Sequence, residues 1–112
     1  MKNYIRGKFI TFEGCDGCGK STQLKMFADY LSANKIPHIF TREPGGGKIS
    51  ECIREIILDG RNGEMTDECE ALLYAAARVQ HIHDRVEPAL KEGKIVTTLV
   101  MFSNKKFFAK LP

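Results

Sequence analysis

The eight residues at positions 14–21, Gly-Cys-Asp-Gly-Cys-Gly-Lys-Ser, constrain this chain more than any other stretch. The spacing G-x-x-x-x-G-K-S has a physical purpose when a strand precedes it and a helix follows. Glycines at 14, 17 and 19 let the backbone curl until several N–H groups converge on one anion. The helix that follows turns the positive end of its dipole toward the same point. Lys20 can reach the outer phosphates of a nucleotide, and the Ser21 hydroxyl can ligate a magnesium ion between them. The flanks comply. Residues 8–13, KFITFE, form a short apolar and aromatic run that reads as a buried strand. Residues 20–33 place Leu24, Phe27, Ala28 and Leu31 at helical spacing.

Cys15 and Cys18 within the same stretch form a C-x-x-C, which offers a competing chemistry. A structural zinc needs four ligands, and Cys52 and Cys69 stand alone. His81 and His83 are two apart on a predicted helix and point in different directions, so they make a poor metal pair. A redox pair opening a helix leaves the following Gly-Lys-Ser without a reason. The phosphate-binding reading accounts for the glycines, Lys20 and Ser21. The cysteines then fill its variable positions.

Further along, residues 37–43 (PHIFTRE) read as a second strand, broken by Pro44 and the three glycines after it. Residues 48–58 predict a helix with Ile49, Cys52, Ile53, Ile56 and Ile57 on one face. Thr66-Asp-Glu opens a long helix with acids in its first turn. Its expected apolar stripe is Leu72, Leu73, Ala76, Val79, Ile82 and Val86, and Pro88 is expected to kink or end it. Residues 94–102 predict a third strand. Strands alternating with helices mean βαβ units and a parallel sheet, so the fold class is α/β. Ligands bind at the carboxyl ends of such strands, which directs attention to the loops after Glu13 and Glu43.

Charge narrows the function classes. The net charge is +3, and Lys105, Lys106 and Lys110 supply all of it. The first 96 residues therefore balance, with 14 basic against 14 acidic side chains. A near-neutral body argues against a nucleic-acid binder. No apolar run approaches membrane-spanning length, and the first residues lack the pattern of a secretory leader. A cytoplasmic location with reduced thiols is the expectation.

Three segments in order, FEGCDGCGKST (12–22), TREPGGG (41–47) and ALLYAAARVQH (71–81), resemble the thymidylate kinase family. Members of that family transfer a phosphoryl group from ATP to dTMP. The resemblance covers residues 8–96, about the amino-terminal half of the family's usual length. It implies a P-loop nucleoside-monophosphate-kinase fold, three-layered around a parallel sheet and truncated to about three strands and three helices. It implies ATP and Mg2+ as cofactors, dTMP as the substrate, no nucleic-acid or membrane partner, and a homodimer as in the family. It also assigns residues. Gly14, Cys15, Asp16, Gly17, Cys18, Gly19, Lys20, Ser21 and Thr22 would hold the ATP phosphates, with Ser21 on the metal. Asp16 would accept from the deoxyribose 3′-hydroxyl. Arg42 would grip the dTMP phosphate and, with Lys20, carry the catalytic charge. Glu43 would organise that site. Tyr74 would stack on thymine, with Arg78 one helical turn further on.

Each assignment has a structural alternative: Tyr74 in the core, Arg78 solvated, and Arg42 paired locally with Glu43. The chain also departs from the family. Gly47 stands where threonine is frequent, and Gly17 where some members carry arginine. After the third strand the family has Asp-Arg and an aromatic residue, whereas this chain continues TTLVMFSNKKFFAKLP with no acid after Glu92. The expected organisation is a kinase core at 1–96 and a divergent basic and aromatic tail at 97–112, from truncation or a frameshift. Impaired transfer is the expectation. The alternatives are a non-catalytic ATP-binding fragment and another P-loop kinase of small molecules.

Overall fold

The computed structural model describes residues 6–13 and 20–101. Three strands form one parallel sheet: β1 (Phe9–Glu13), β2 (His38–Glu43) and β3 (Ile95–Val100). The order is β1-β3-β2, so the last strand in sequence lies in the centre. In register, Thr11, Thr98 and Thr41 form one row, and Phe12, Leu99 and Arg42 the next. Parallel neighbours need crossovers, and helices supply them. These are α1 (Lys20–Ala33), α2 (Lys48–Leu58), α3 (Asp67–His81) and α4 (Glu87–Lys91), with a π-helical turn over Ile82–Val86.

Helices cover both sheet faces. On one face Phe27 of α1 packs against Phe12, ring centres 5.9 Å apart. On the other, Val86, Ala89 and Leu90 close over Val96, with Ile39 beside them. This makes the three layers the sequence predicts. β1, however, is an edge strand among the described residues, and its odd-numbered side chains are exposed rather than buried. The chain order of the strands does not reveal which of them is central.

The long helix continues past Pro88 instead of stopping there. Proline lacks the N–H that would bond back to residue 84, and the turn before it widens: the Glu87 N–H donates to the Ile82 carbonyl, five residues back. α4 then ends with Lys94 N–H on Ala89 O and Gly93 N–H on Leu90 O, the paired bonds of a Schellman cap. The start is capped too, since the Thr66 hydroxyl accepts from Cys69 N–H at 3.1 Å.

Two helix faces differ from expectation. The buried face of α3 is Ala71, Ala77 and His81, while Leu72 and Val79 are 68% and 70% exposed. On α2 the buried residue is Ser50, and Ile49 and Ile56 lie about half exposed. The reason is close approach. The Ser50 hydroxyl donates to Ala77 O at 2.8 Å, which requires small residues on both helices. The fully buried positions of both helices are therefore small or polar, and Ile53, Ile57 and Leu73 are only half-buried.

Candidate active site

β1 ends at Glu13, and α1 begins at Lys20 after six intervening residues. Residues 14–19 lie outside the described residues, as do the side chains of Lys20 and Ser21. The positions assigned to Gly14, Cys15, Asp16, Gly17, Cys18 and Gly19 therefore have no structural account. Thr22 is exposed in the first turn of α1.

The described part of the site gathers at the carboxyl end of β2. Successive strand residues point to opposite faces, so Arg42 and Glu43 cannot pair with each other. Each pairs elsewhere. Glu43 is 5% exposed and accepts from Arg78 Nε at 3.1 Å. His81, fully buried, brings Nδ1 to 3.4 Å from the same Glu43 oxygen. The other ring nitrogen, Nε2, shares a hydrogen bond of 2.8 Å with the Thr41 hydroxyl. Among the described residues, Glu43 Oε1 has no hydrogen-bond partner. It is a buried acceptor at the end of a strand, where a ligand or water would find it.

On the opposite face Arg42 reaches Glu51 in the first turn of α2. Arg42 Nε donates to Oε2 at 3.1 Å and Nη2 to Oε1 at 2.5 Å. The Gly46 N–H also donates to Oε2, at 2.7 Å. The Arg42 guanidinium and the Gly46 N–H hold the Glu51 carboxyl well below its ordinary range, at about 2. Glu51 in return raises the Arg42 pKa through the same bonds. Arg54, one turn further along α2, donates to Pro44 O at 2.8 Å, so α2 holds the Pro-Gly-Gly loop at two points. The Glu43–Pro44 peptide within this loop is cis. An open cleft of about 480 Å³ adjoins the loop, lined on its polar side by Arg42, Glu51 and Arg85. Leu24, Phe40 and Leu99 form its apolar side. Arg85 donates to Gly46 O at 3.3 Å.

Arg42 and Arg78 thus both arrive at the end of β2, from opposite sides of the sheet. Tyr74 is partly buried on α3, one turn before Arg78. Burial and Glu70 push its hydroxyl pKa up, against a smaller opposing effect of Arg54. It is not among the residues of the cleft beside Arg42. Sequence reasoning missed Glu51, Thr41 and the role of His81. Strand alternation was the available signal: it separates Arg42 from Glu43 and sends each to a helix. Cys52 and Cys69 are free and exposed. No cluster of three metal-ligating side chains occurs among the described residues.

A parallel 1-3-2 sheet with a glycine-rich strand-to-helix loop and paired arginines at a strand's carboxyl end defines a nucleoside-monophosphate kinase fold of the P-loop class. Comparison with known proteins narrows the class. The model of one family, Thymidylate kinase, matches residues 12–104, most of the chain. The chain belongs to the thymidylate kinase family. A thymidylate kinase of Ligilactobacillus salivarius is 57% identical over 93 residues, covering 82% of this chain and 45% of that protein. One from Pelotomaculum thermopropionicum is 52% identical over 92 residues, 82% of this chain and 43% of that protein. The crystal structure of thymidylate kinase from Ehrlichia chaffeensis aligns with a TM-score of 0.70 at 36% identity, over 87% of this chain and 54% of that one. The chain spans less than half the length of these curated relatives. No described helix is long and apolar enough to cross a membrane.

Proposed function

We propose that this chain carries the phosphate loop and the acceptor-nucleotide site of a dTMP kinase, acting in the cytoplasm. The observation that carries the reading is the placement of Arg42 and Arg78 at one strand end, each fixed by its own carboxylate. Arg42 presents a planar fork suited to a phosphate. Arg78, with Tyr74 one turn before it, is suited to the polar edge and face of thymine. Asp16 accepts from the 3′-hydroxyl. The donor set of residues 14–21 fits a magnesium nucleotide: glycine amides and Lys20 for phosphate oxygens, Ser21 for the ion. Magnesium, when bound, neutralises charge on the transferred phosphoryl group. The chain's own share is to hold the two phosphates in line and to keep Arg42 and Lys20 beside them.

We further propose that binding outlasts catalysis in this chain. Leu99, near the carboxyl end of β3, lies on the apolar side of the cleft beside Arg42. Loss of an arginine that stabilises the transferred phosphate costs about 10³–10⁵ in rate. The exposed residues of α2 and α3, spaced seven apart at Ile49 and Ile56 and at Leu72 and Val79, suit contact with a second copy of the chain. A coupled kinase assay with dTMP, run beside an ATP-binding titration and a Lys20→Ala control, tests the reading. ATP binding that depends on Lys20, with slow Mg-dependent dTMP phosphorylation, is expected. ATP binding with no phosphorylation at all identifies a non-catalytic nucleotide module instead.

A further inference from the structure

We propose that Glu51 is a positioning residue that aims the Arg42 fork at the phosphate of the acceptor nucleotide. The proposal rests on the reading of Arg42 given above. Glu51 stands in the first turn of α2, four residues after Gly47. Its two oxygens take three bonds: Arg42 Nε, Arg42 Nη2 and the Gly46 N–H. Guanidinium has five N–H donors. This arrangement consumes two of them along one edge. Of the three that remain, one on each Nη forms the end-on edge, where two oxygens of a tetrahedral anion can be gripped together.

Stability does not explain the pair. The Arg42 and Glu51 side chains are 51% and 37% exposed, and exposed ion pairs contribute little. Electrostatics alone would disfavour it, because a carboxylate beside Arg42 cancels charge that should attract phosphate. A positional role resolves this. Unpaired, a half-exposed arginine samples many rotamers, and ordering it on binding weakens affinity. Paired along one edge, its plane is set before the ligand arrives. The loop is shaped to allow this contact. A Cβ at Gly45, whose φ is +129°, would run into the Glu51 carboxylate. Glu51 titrates near 2, so the pair persists across the physiological range. Arg85 lines the same cleft, which leaves two guanidinium groups against one carboxylate.

The test is calorimetric titration of the full 112-residue chain with two probes, dTMP and thymidine, which differ only by the phosphate. The variants are Glu51→Gln, Glu51→Ala, Arg42→Ala and the Arg42→Ala/Glu51→Gln double variant. Far-UV circular dichroism checks that each is folded. Glu51→Gln should weaken dTMP about tenfold and leave thymidine unchanged. In the Arg42→Ala background it should cost nothing more. Equal losses for both probes would reduce Glu51 to a structural residue and overturn the proposal. Tighter dTMP binding would make Glu51 a competitor of the phosphate, which also overturns it. If Arg42→Ala itself leaves dTMP affinity intact, the reading of Arg42 fails, and the inference about Glu51 falls with it. Should Glu51→Gln not fold, Glu51→Ala carries the same comparison.

Discussion

Gly46→Ala tests how the loop after β2 is held against α3. Gly46 has φ +94°, a region that alanine enters only at a cost of about 1–3 kcal/mol. Its Cβ would also strike the His81 ring and the Thr41 hydroxyl. His81 is fully buried and has no room to retreat, so the overlap adds about 1–3 kcal/mol. Breaking the Thr41–His81 hydrogen bond adds about 1 kcal/mol. Partial relaxation brings the total to about 3–5 kcal/mol. Gly47→Ala is the control. Gly47 has φ −150°, an ordinary extended value, and its added Cβ would meet Asp84 Oδ2 at 3.1 Å. That carboxylate can swing aside, so the cost should stay below about 1 kcal/mol. Urea unfolding of both variants, followed by circular dichroism with the slope checked for constancy, reads the difference. Equal midpoints for the two variants would refute the claim that Gly46 dovetails with His81.

Other expectations follow from single residues. The Glu51 carboxyl is lowered from an ordinary value near 4.5 to about 2, so its contribution is present above pH 4.5 and is lost as pH falls toward 2. The full shift would correspond to about 3 kcal/mol, but both partners are over a third exposed, which screens it to about 1 kcal/mol. The stability gap between wild type and Glu51→Gln should therefore be open at pH 6 and closed by pH 2; a gap that widens in acid contradicts the pairing. Lys35 ends α1 with φ 55°, and Lys35→Gly should raise stability by about 0.5–1 kcal/mol in a thermal melt. Thr66→Ala removes the cap of α3 and should cost about 1 kcal/mol by urea titration. Val79→Lys should lower the mass measured by light scattering toward a monomer if α3 meets a second copy, and leave the far-UV spectrum unchanged.

Local grammar made much of the fold legible. The glycine-rich stretch placed a strand before it and a helix from Lys20, and both are there. The residues 48–58 read as a helix match α2. Three-dimensional choices were less legible. That β3 lies between β1 and β2 depends on crossover packing, which no local pattern encodes. Of the expected stripe Val86 is buried, while Leu72 and Val79 face outward, because the reading took bulk rather than alanine as the mark of the inner face. Close contact with Ser50 selects the small face instead. The motifs singled out Arg42 and Arg78 but not which carboxylate each pairs with. Glu51 lies nine residues from Arg42, and Glu43 lies 35 from Arg78, beyond any local window. His81 was weighed only as a metal ligand. Its position, bonded to Thr41 and beside Glu43, exists only once α3 is docked on β2.

If the proposed function holds, the end of β2 and the facing helix recognise a thymine nucleotide. Calorimetric titration of the 112-residue chain with dTMP and with dCMP measures that recognition. dTMP should bind at least about tenfold more tightly, a difference of about 1.4 kcal/mol; Arg78→Ala should remove the preference and Lys20→Ala leave it intact. Equal affinity for the two nucleotides, or no heat with dTMP, would contradict it.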